Sequence, residues 1–196
     1  MSGATWTVPN VLTGLRLLVV PFVGAVLLSA GDSQRGRWVA LALFAVASVT
    51  DVADGWIARR WNQCTAFGAL VDPIADKALV ATALVGLSVL GIVPWWATAV
   101  ILGREAAVTV LRMAVLHHGV IPASRGGKVK TVAQTVLIVL ALAASQWTAL
   151  LSAMIAGTVV WTVVTGLDYG VKAGALTRAR AVPVPASPAA PRQLHS

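Results

Sequence analysis

The chain has 196 residues, 58% of them hydrophobic and only 11% charged. An ordinary soluble domain carries about 25% charged residues, so this chain cannot cover itself with polar surface, and the bilayer is its expected solvent. Its formal charge of +8 comes with no basic run interleaved with stacking aromatics and no zinc-finger spacing, which argues against nucleic acid and for cytoplasmic loops and anionic lipid headgroups.

A membrane-spanning helix needs about 20 mostly apolar residues. Six stretches qualify, in chain order Val11–Ser29, Trp38–Ala58, Pro73–Leu90, Pro94–Leu116, Thr131–Ala144 and Thr148–Val171, several of them interrupted by charge. The first has its only early positive charge, Arg16, inside the apolar stretch, and further spans come after it. It therefore reads as a retained helix and not as a signal peptide. The connections are short, and Trp38, Trp61, Trp95, Trp96 and Trp147 stand near span ends, where the indole ring prefers the interface. With both termini inside, the cytoplasmic segments hold Arg59, Arg60, Arg125, Lys128, Lys130, Lys172, Arg178, Arg180 and Arg192, against only Arg35 and Arg37 in the outer loops. That imbalance orients the N terminus towards the cytoplasm.

Cys64 is the one cysteine, so no intramolecular disulfide or cysteine metal cluster can form, and it reads as an inert loop residue. From Thr177 onward the composition turns to Pro, Ala and Arg, which cannot build a core and is expected to be disordered. The expected organisation is an all-α integral membrane domain of six transmembrane helices over residues 1–176, with a tail over 177–196.

The chain holds seven acidic residues, and Asp51, Asp54, Asp72 and Asp76 fall within one window at the end of the second span and the start of the third. Carboxylates inside a membrane are costly and usually mark function. At about 100° per residue, Asp51, Asp54, Gly55 and Ala58 share one helix face, and Gly68, Asp72 and Asp76 share a face of the next helix. Antiparallel helices joined by a short loop would turn these faces together, lined by small residues where a bulky ligand can approach. Adjacent anions repel unless protonated or neutralised, and hard oxygen ligands suit Mg²⁺ or Mn²⁺, two ions of which shared carboxylates can bridge. Pairing with Arg59, Arg60 and Lys77 is the alternative, but it supplies three bases for four acids and gives no reason for the small residues. An aspartate-lined cation carrier is a further alternative that leaves the Gly, Ala and Arg positions unexplained.

The window reads DVADGWIARRWNQCTAFGALVDPIAD over residues 51–76. It resembles the signature of the CDP-alcohol phosphotransferase family, D-x2-D-G-x2-A-R-x8-G-x3-D-x3-D, at every fixed position and in both gaps. The resemblance implies a six-helix membrane bundle, a CDP-linked lipid donor and a divalent metal requirement. It implies Asp51, Asp54 and Asp72 as principal metal ligands, and Asp76 at the same metal site as the candidate general base. Gly55, Ala58, Arg59 and Gly68 would shape and contact the cytidine nucleotide, with Thr65 assisting. A homodimer in the bacterial inner membrane, with the site on the cytoplasmic side, belongs to the same expectation.

Outside the signature, VPNVLTGLRLLVVP, GREAAVTVLR and VIPASRGGKVKTVAQ resemble the bacterial phosphatidylglycerophosphate synthases of that family. This implies transfer of the phosphatidyl group of CDP-diacylglycerol to sn-glycerol 3-phosphate, giving phosphatidylglycerophosphate and CMP. Arg104, Arg112, Arg125, Lys128 and Lys130 form a cationic set suited to an acceptor that carries phosphate. Arg104 has a second reading, a pairing with Glu105 or a helix carbonyl, and Lys128 and Lys130 have one as topology signals. Glu105 and Asp168 read as balances for nearby bases, and His117 and His118 as interface residues. A cardiolipin synthase taking phosphatidylglycerol is the alternative within the family; it would need less cationic surface.

Overall fold

The computed structural model describes residues 8–30, 33–60, 66–116 and 125–180. They form six helices in sequence: α1 (Val8–Ala30), α2 (Gln34–Arg60), α3 (Ala66–Val89), α4 (Trp95–Leu116), α5 (Arg125–Ala143) and α6 (Thr148–Arg180). No strand occurs among the described residues.

The ends that are visible have local causes. Ser33 caps α2: its hydroxyl accepts the Gly36 N–H at 3.2 Å and its carbonyl accepts that of Arg37, filling donors that a helix start leaves open. Gly91 closes α3 with φ +69°. Around it the Ile92 N–H reaches the Leu87 carbonyl at 3.0 Å and the Gly91 N–H reaches that of Ser88 at 3.1 Å, the paired bonds of a Schellman end. Pro94 then starts α4 by offering its carbonyl to Ala97 and Thr98.

α1 packs along both α2 and α3, whereas α2 and α3 touch each other over a short length. The α1–α3 approach is tight because it uses glycines. A Cβ on Gly24 would stand 3.0 Å from Thr82, and one on Gly86 would stand 2.6 Å from Leu27. The partners advance together along both helices, so α1 and α3 run parallel. On the other side of the bundle α6 packs against α4 and α5. Val23, Leu27, Phe44, Leu84, Ile101 and Leu137 are among the side chains that meet in the core.

Apolar residues also cover the outside. Leu18, Phe22, Val46, Val49, Leu167 and Val171 are all more than half exposed, a surface far too apolar for water contact. Among the described residues one helix segment, Thr148–Val171, is long and apolar enough to cross a membrane, with a mean hydropathy of 1.9. Only 22% of its window is buried, unlike the core helix of a soluble domain. Six helices were expected, and six are present. Two shorter apolar helix segments, Leu17–Ser29 and Val129–Ala143, also occur among the described residues. The tail also begins later than its composition suggests: α6 continues through Thr177–Arg180, and residues 181–196 lie outside the described part.

Candidate active site

The aspartates stand on two consecutive helices joined by five residues, and the structure places three of them by their backbone. Asp54 lies six residues before the end of α2, and Asp72 six residues after the start of α3. Asp51 and Asp76 lie nine and ten residues from the same two ends. At 1.5 Å rise per residue, these are two matched levels, roughly 9 Å and 14 Å from those helix ends. Gly55, Ala58 and Arg59 lie on the same stretch of α2, and Gly68 lies in the first turn of α3. Thr65, Cys64, His117 and His118 lie outside the described residues. Asp76 is half-buried. Among the described side chains, no group of three or more His, Cys, Asp or Glu gathers where an ion could be held, and the side chains of Asp51, Asp54 and Asp72 are outside that set.

The fit of this donor set to a divalent metal rests on the backbone levels and on the chemistry of carboxylates. Four hard oxygen donors, two per helix at two matched depths, suit Mg²⁺ or Mn²⁺.

One residue beyond Asp76, a polar network crosses the bundle. The Lys77 Nζ donates to the Thr109 Oγ1, tying α3 to α4. Thr109 in turn donates to the Glu105 carbonyl at 2.6 Å. The Glu105 carboxylate then receives two cations on one oxygen: Arg104 Nη1 at 3.1 Å and the Lys130 Nζ, which arrives from α5. Arg104 reaches onward, its Nη2 donating to the Thr165 Oγ1 on α6 at 3.1 Å. The side chains of Arg104, Glu105 and Lys130 are 13%, 14% and 12% exposed, so these charges are largely withdrawn from solvent. Such ions persist only when paired.

The floor of the network is a glycine. A Cβ on Gly166 would stand 3.0 Å from the Arg104 Cγ and 3.3 Å from its Nε, so the arginine lies flat across bare α6 backbone. Its Nε is buried without a hydrogen-bond partner, as is the Gln134 Nε2 one turn beyond Lys130 on α5.

Of the cations singled out in the sequence, Arg104 and Lys130 are therefore brought together, through Glu105. The pairing of Arg104 with Glu105 is present. Arg125 and Lys128 stand in the first turn of α5, where unpaired backbone N–H groups favour anions; Arg112 is placed by backbone two turns beyond Glu105 on α4. The sequence reading considered Lys77 only as a partner for the aspartates, and it missed Thr109, Thr165 and Gly166. A threonine or glycine carries no signal of its contacts until the helices are docked, although Lys77 stands beside Asp76 in the signature. A cavity of about 410 Å³ lies elsewhere, among Gly91, Pro94, Trp96, Thr148 and Ile155, at the end of α3 away from Ala66.

Among the described residues these features define a helical protein that withdraws Arg104, Glu105 and Lys130 from solvent and exposes much apolar surface. A family model described as CDP-alcohol phosphatidyltransferase matches residues 6–165. A Mycobacterium tuberculosis protein named "Probable phosphatidylglycerophosphate synthase" is 51% identical over 168 residues, covering 84% of this chain and 80% of the relative. Two proteins named "CDP-diacylglycerol--glycerol-3-phosphate 3-phosphatidyltransferase" are also similar. That of Bacillus subtilis is 34% identical over 180 residues (84% of this chain, 93% of the relative), and that of Escherichia coli is 42% identical over 139 residues (68% and 75%). The chain belongs to the CDP-alcohol phosphatidyltransferase family. It is an enzyme of that class.

Proposed function

We propose that this enzyme transfers the phosphatidyl group of CDP-diacylglycerol to sn-glycerol 3-phosphate, releasing CMP and phosphatidylglycerophosphate. The observation that carries the choice of acceptor is the buried cationic set at the α4–α5–α6 junction, with Lys130 and Arg104 around Glu105, and Lys77 of the network directly follows Asp76. A phosphorylated acceptor explains why a membrane protein keeps so much positive charge beside its acids. The names of the relatives agree with that acceptor.

In this reading all six helices cross the bacterial inner membrane, with the connection between α2 and α3 on the cytoplasmic side, where the basic residues concentrate. Residues 1–176 are the catalytic membrane domain, and a homodimer is the expected assembly. Asp51, Asp54, Asp72 and Asp76 hold Mg²⁺ or Mn²⁺, which supplies charge neutralisation to the diphosphate and to departing CMP. Gly55, Ala58 and Gly68 leave room for the cytidine, with Arg59 and Thr65 as its polar contacts. Asp76 accepts the proton of the acceptor hydroxyl as that oxygen forms its bond to the lipid-bearing phosphorus and the bond to the CMP oxygen breaks. Lys130, Arg104, Arg112, Arg125 and Lys128 hold the acceptor's own phosphate. That fixes which hydroxyl faces Asp76 and turns a bimolecular encounter into an oriented one.

The test is a two-substrate assay on purified protein with CDP-diacylglycerol, Mg²⁺ and radiolabelled glycerol 3-phosphate, run beside phosphatidylglycerol. Label in a lipid product with equimolar CMP supports the reading. Turnover on phosphatidylglycerol alone overturns the acceptor and indicates cardiolipin synthesis. No CMP with either acceptor, together with aspartate-dependent cation flux, overturns the transferase chemistry.

A further inference from the structure

We propose that Glu105 is a positioning residue for acceptor use: its carboxylate aims the Lys130 ammonium at the acceptor's phosphate, and Arg104 anchors that carboxylate. The proposal rests on the transfer to glycerol 3-phosphate described above and deepens it by assigning a role to an acidic residue in a site meant to bind an anion. An acid there would ordinarily be unfavourable, since it repels the ligand. The geometry explains its presence. Lys130 stands less than two turns into α5 on a long, rotatable stem, and an ammonium has no directional preference of its own. Glu105 Oε1 gives it a fixed acceptor on a neighbouring helix.

The acid itself is held from three directions. Arg104 Nη1 binds the same oxygen at 3.1 Å. Arg104 cannot swing away, because Thr165 takes its Nη2 at 3.1 Å and the bare backbone at Gly166 receives its stem. The Glu105 carbonyl is fixed by Thr109, which also receives the Lys77 Nζ. Residues of α3, α4 and α6 thus hold Glu105, and its carboxylate oxygen fixes one lysine of α5. An ammonium has three donor hydrogens; with one committed to Glu105, the remaining two have defined directions for a phosphate.

The experiment is steady-state kinetics on Glu105→Gln, Lys130→Ala and the double variant, in the full chain in detergent, varying glycerol 3-phosphate and CDP-diacylglycerol separately. Glu105→Gln is expected to raise the KM for glycerol 3-phosphate about tenfold, the effect of losing one hydrogen bond to a charged group. The KM for CDP-diacylglycerol and the kcat at saturating acceptor are expected to stay within about twofold. Because Glu105 acts through Lys130, the double variant is expected to be no worse than Lys130→Ala alone. Glu105→Asp, which keeps the charge on a shorter stem, is expected to fall between wild type and Glu105→Gln, and it carries the test if the glutamine variant does not accumulate. Equal rises in both KM values, multiplied effects in the double variant, or an unchanged acceptor KM overturns the positioning role. Wild-type protein that makes no glycerol phosphate product overturns the underlying reading instead, so the two failures are distinguishable.

Discussion

Gly166→Ala separates the acceptor network from the stability of the bundle. The new methyl would stand 3.0 Å from the Arg104 Cγ, 3.3 Å from its Nε and 3.8 Å from its Cδ. Carbon atoms rest at about 3.5–4.0 Å, so the arginine stem has to retreat by roughly half an ångström. Cγ is near the root of the side chain, and the shift carries to the guanidinium. Bonds now at 3.1 Å to Thr165 and to Glu105 would approach about 3.6 Å, beyond hydrogen-bond reach. Losing one such charge-assisted bond costs about 1.5 kcal/mol or more, close to a tenfold change in an equilibrium. Against this, alanine is favoured over glycine in a helix interior by about 1 kcal/mol. The helix gain offsets part of the loss in global stability, whereas only the loss acts on the acceptor site. The expected result is a thermal midpoint within a few degrees of wild type and a KM for glycerol 3-phosphate raised about tenfold. Gly157→Ala on the same helix, where a Cβ meets nothing within 4 Å, is the control and is expected to leave both KM values alone. An unchanged acceptor KM in Gly166→Ala, or equal rises for both substrates, would show that Arg104 does not support the acceptor site.

Three further outcomes are expected. Asn in place of Asp51, Asp54, Asp72 or Asp76 is expected to remove most CMP release in each case, because one lost carboxylate breaks a shared metal site; normal turnover in any two would count against the shared site. Lys130→Ala is expected to raise the KM for glycerol 3-phosphate well above any change for CDP-diacylglycerol, as read in the two-substrate assay, and equal changes would mean the donor and acceptor sites are not separate. Gly86→Ala drives a Cβ to 2.6 Å from Leu27 and is expected to cost about 1–3 kcal/mol as overpacking. The thermal midpoint should fall and should recover in the Gly86→Ala, Leu27→Ala pair; no fall would mean α1 and α3 are not closely packed there.

The parts legible in the sequence were those that chemistry or the chain's own periodicity fixes. The spacing of Asp51, Asp54, Asp72 and Asp76 was legible as a pattern, and α2 and α3 place Asp54 and Asp72 six residues each from their adjoining helix ends. Six helices were legible from apolar runs, and six helices are present among the described residues. A tail was expected from Thr177 onward, and α6 continues to Arg180. The contacts of Arg104 were only half legible. Its neighbour Glu105 is a local partner, but Thr165 and Gly166 are 61 and 62 residues away in sequence, and only the docking of α6 on α4 brings them in. The contact between Lys77 and Thr109 was missed for the same reason.

In the proposed function a divalent metal site lies between α2 and α3. The most direct test of that claim is manganese binding monitored by electron paramagnetic resonance on purified protein in lipid nanodiscs, comparing wild type with Asp54→Asn and Asp72→Asn. The expected result is a bound Mn²⁺ signal in wild type that is lost or strongly weakened by either substitution, one on each helix. Undiminished binding in both variants would contradict the claim.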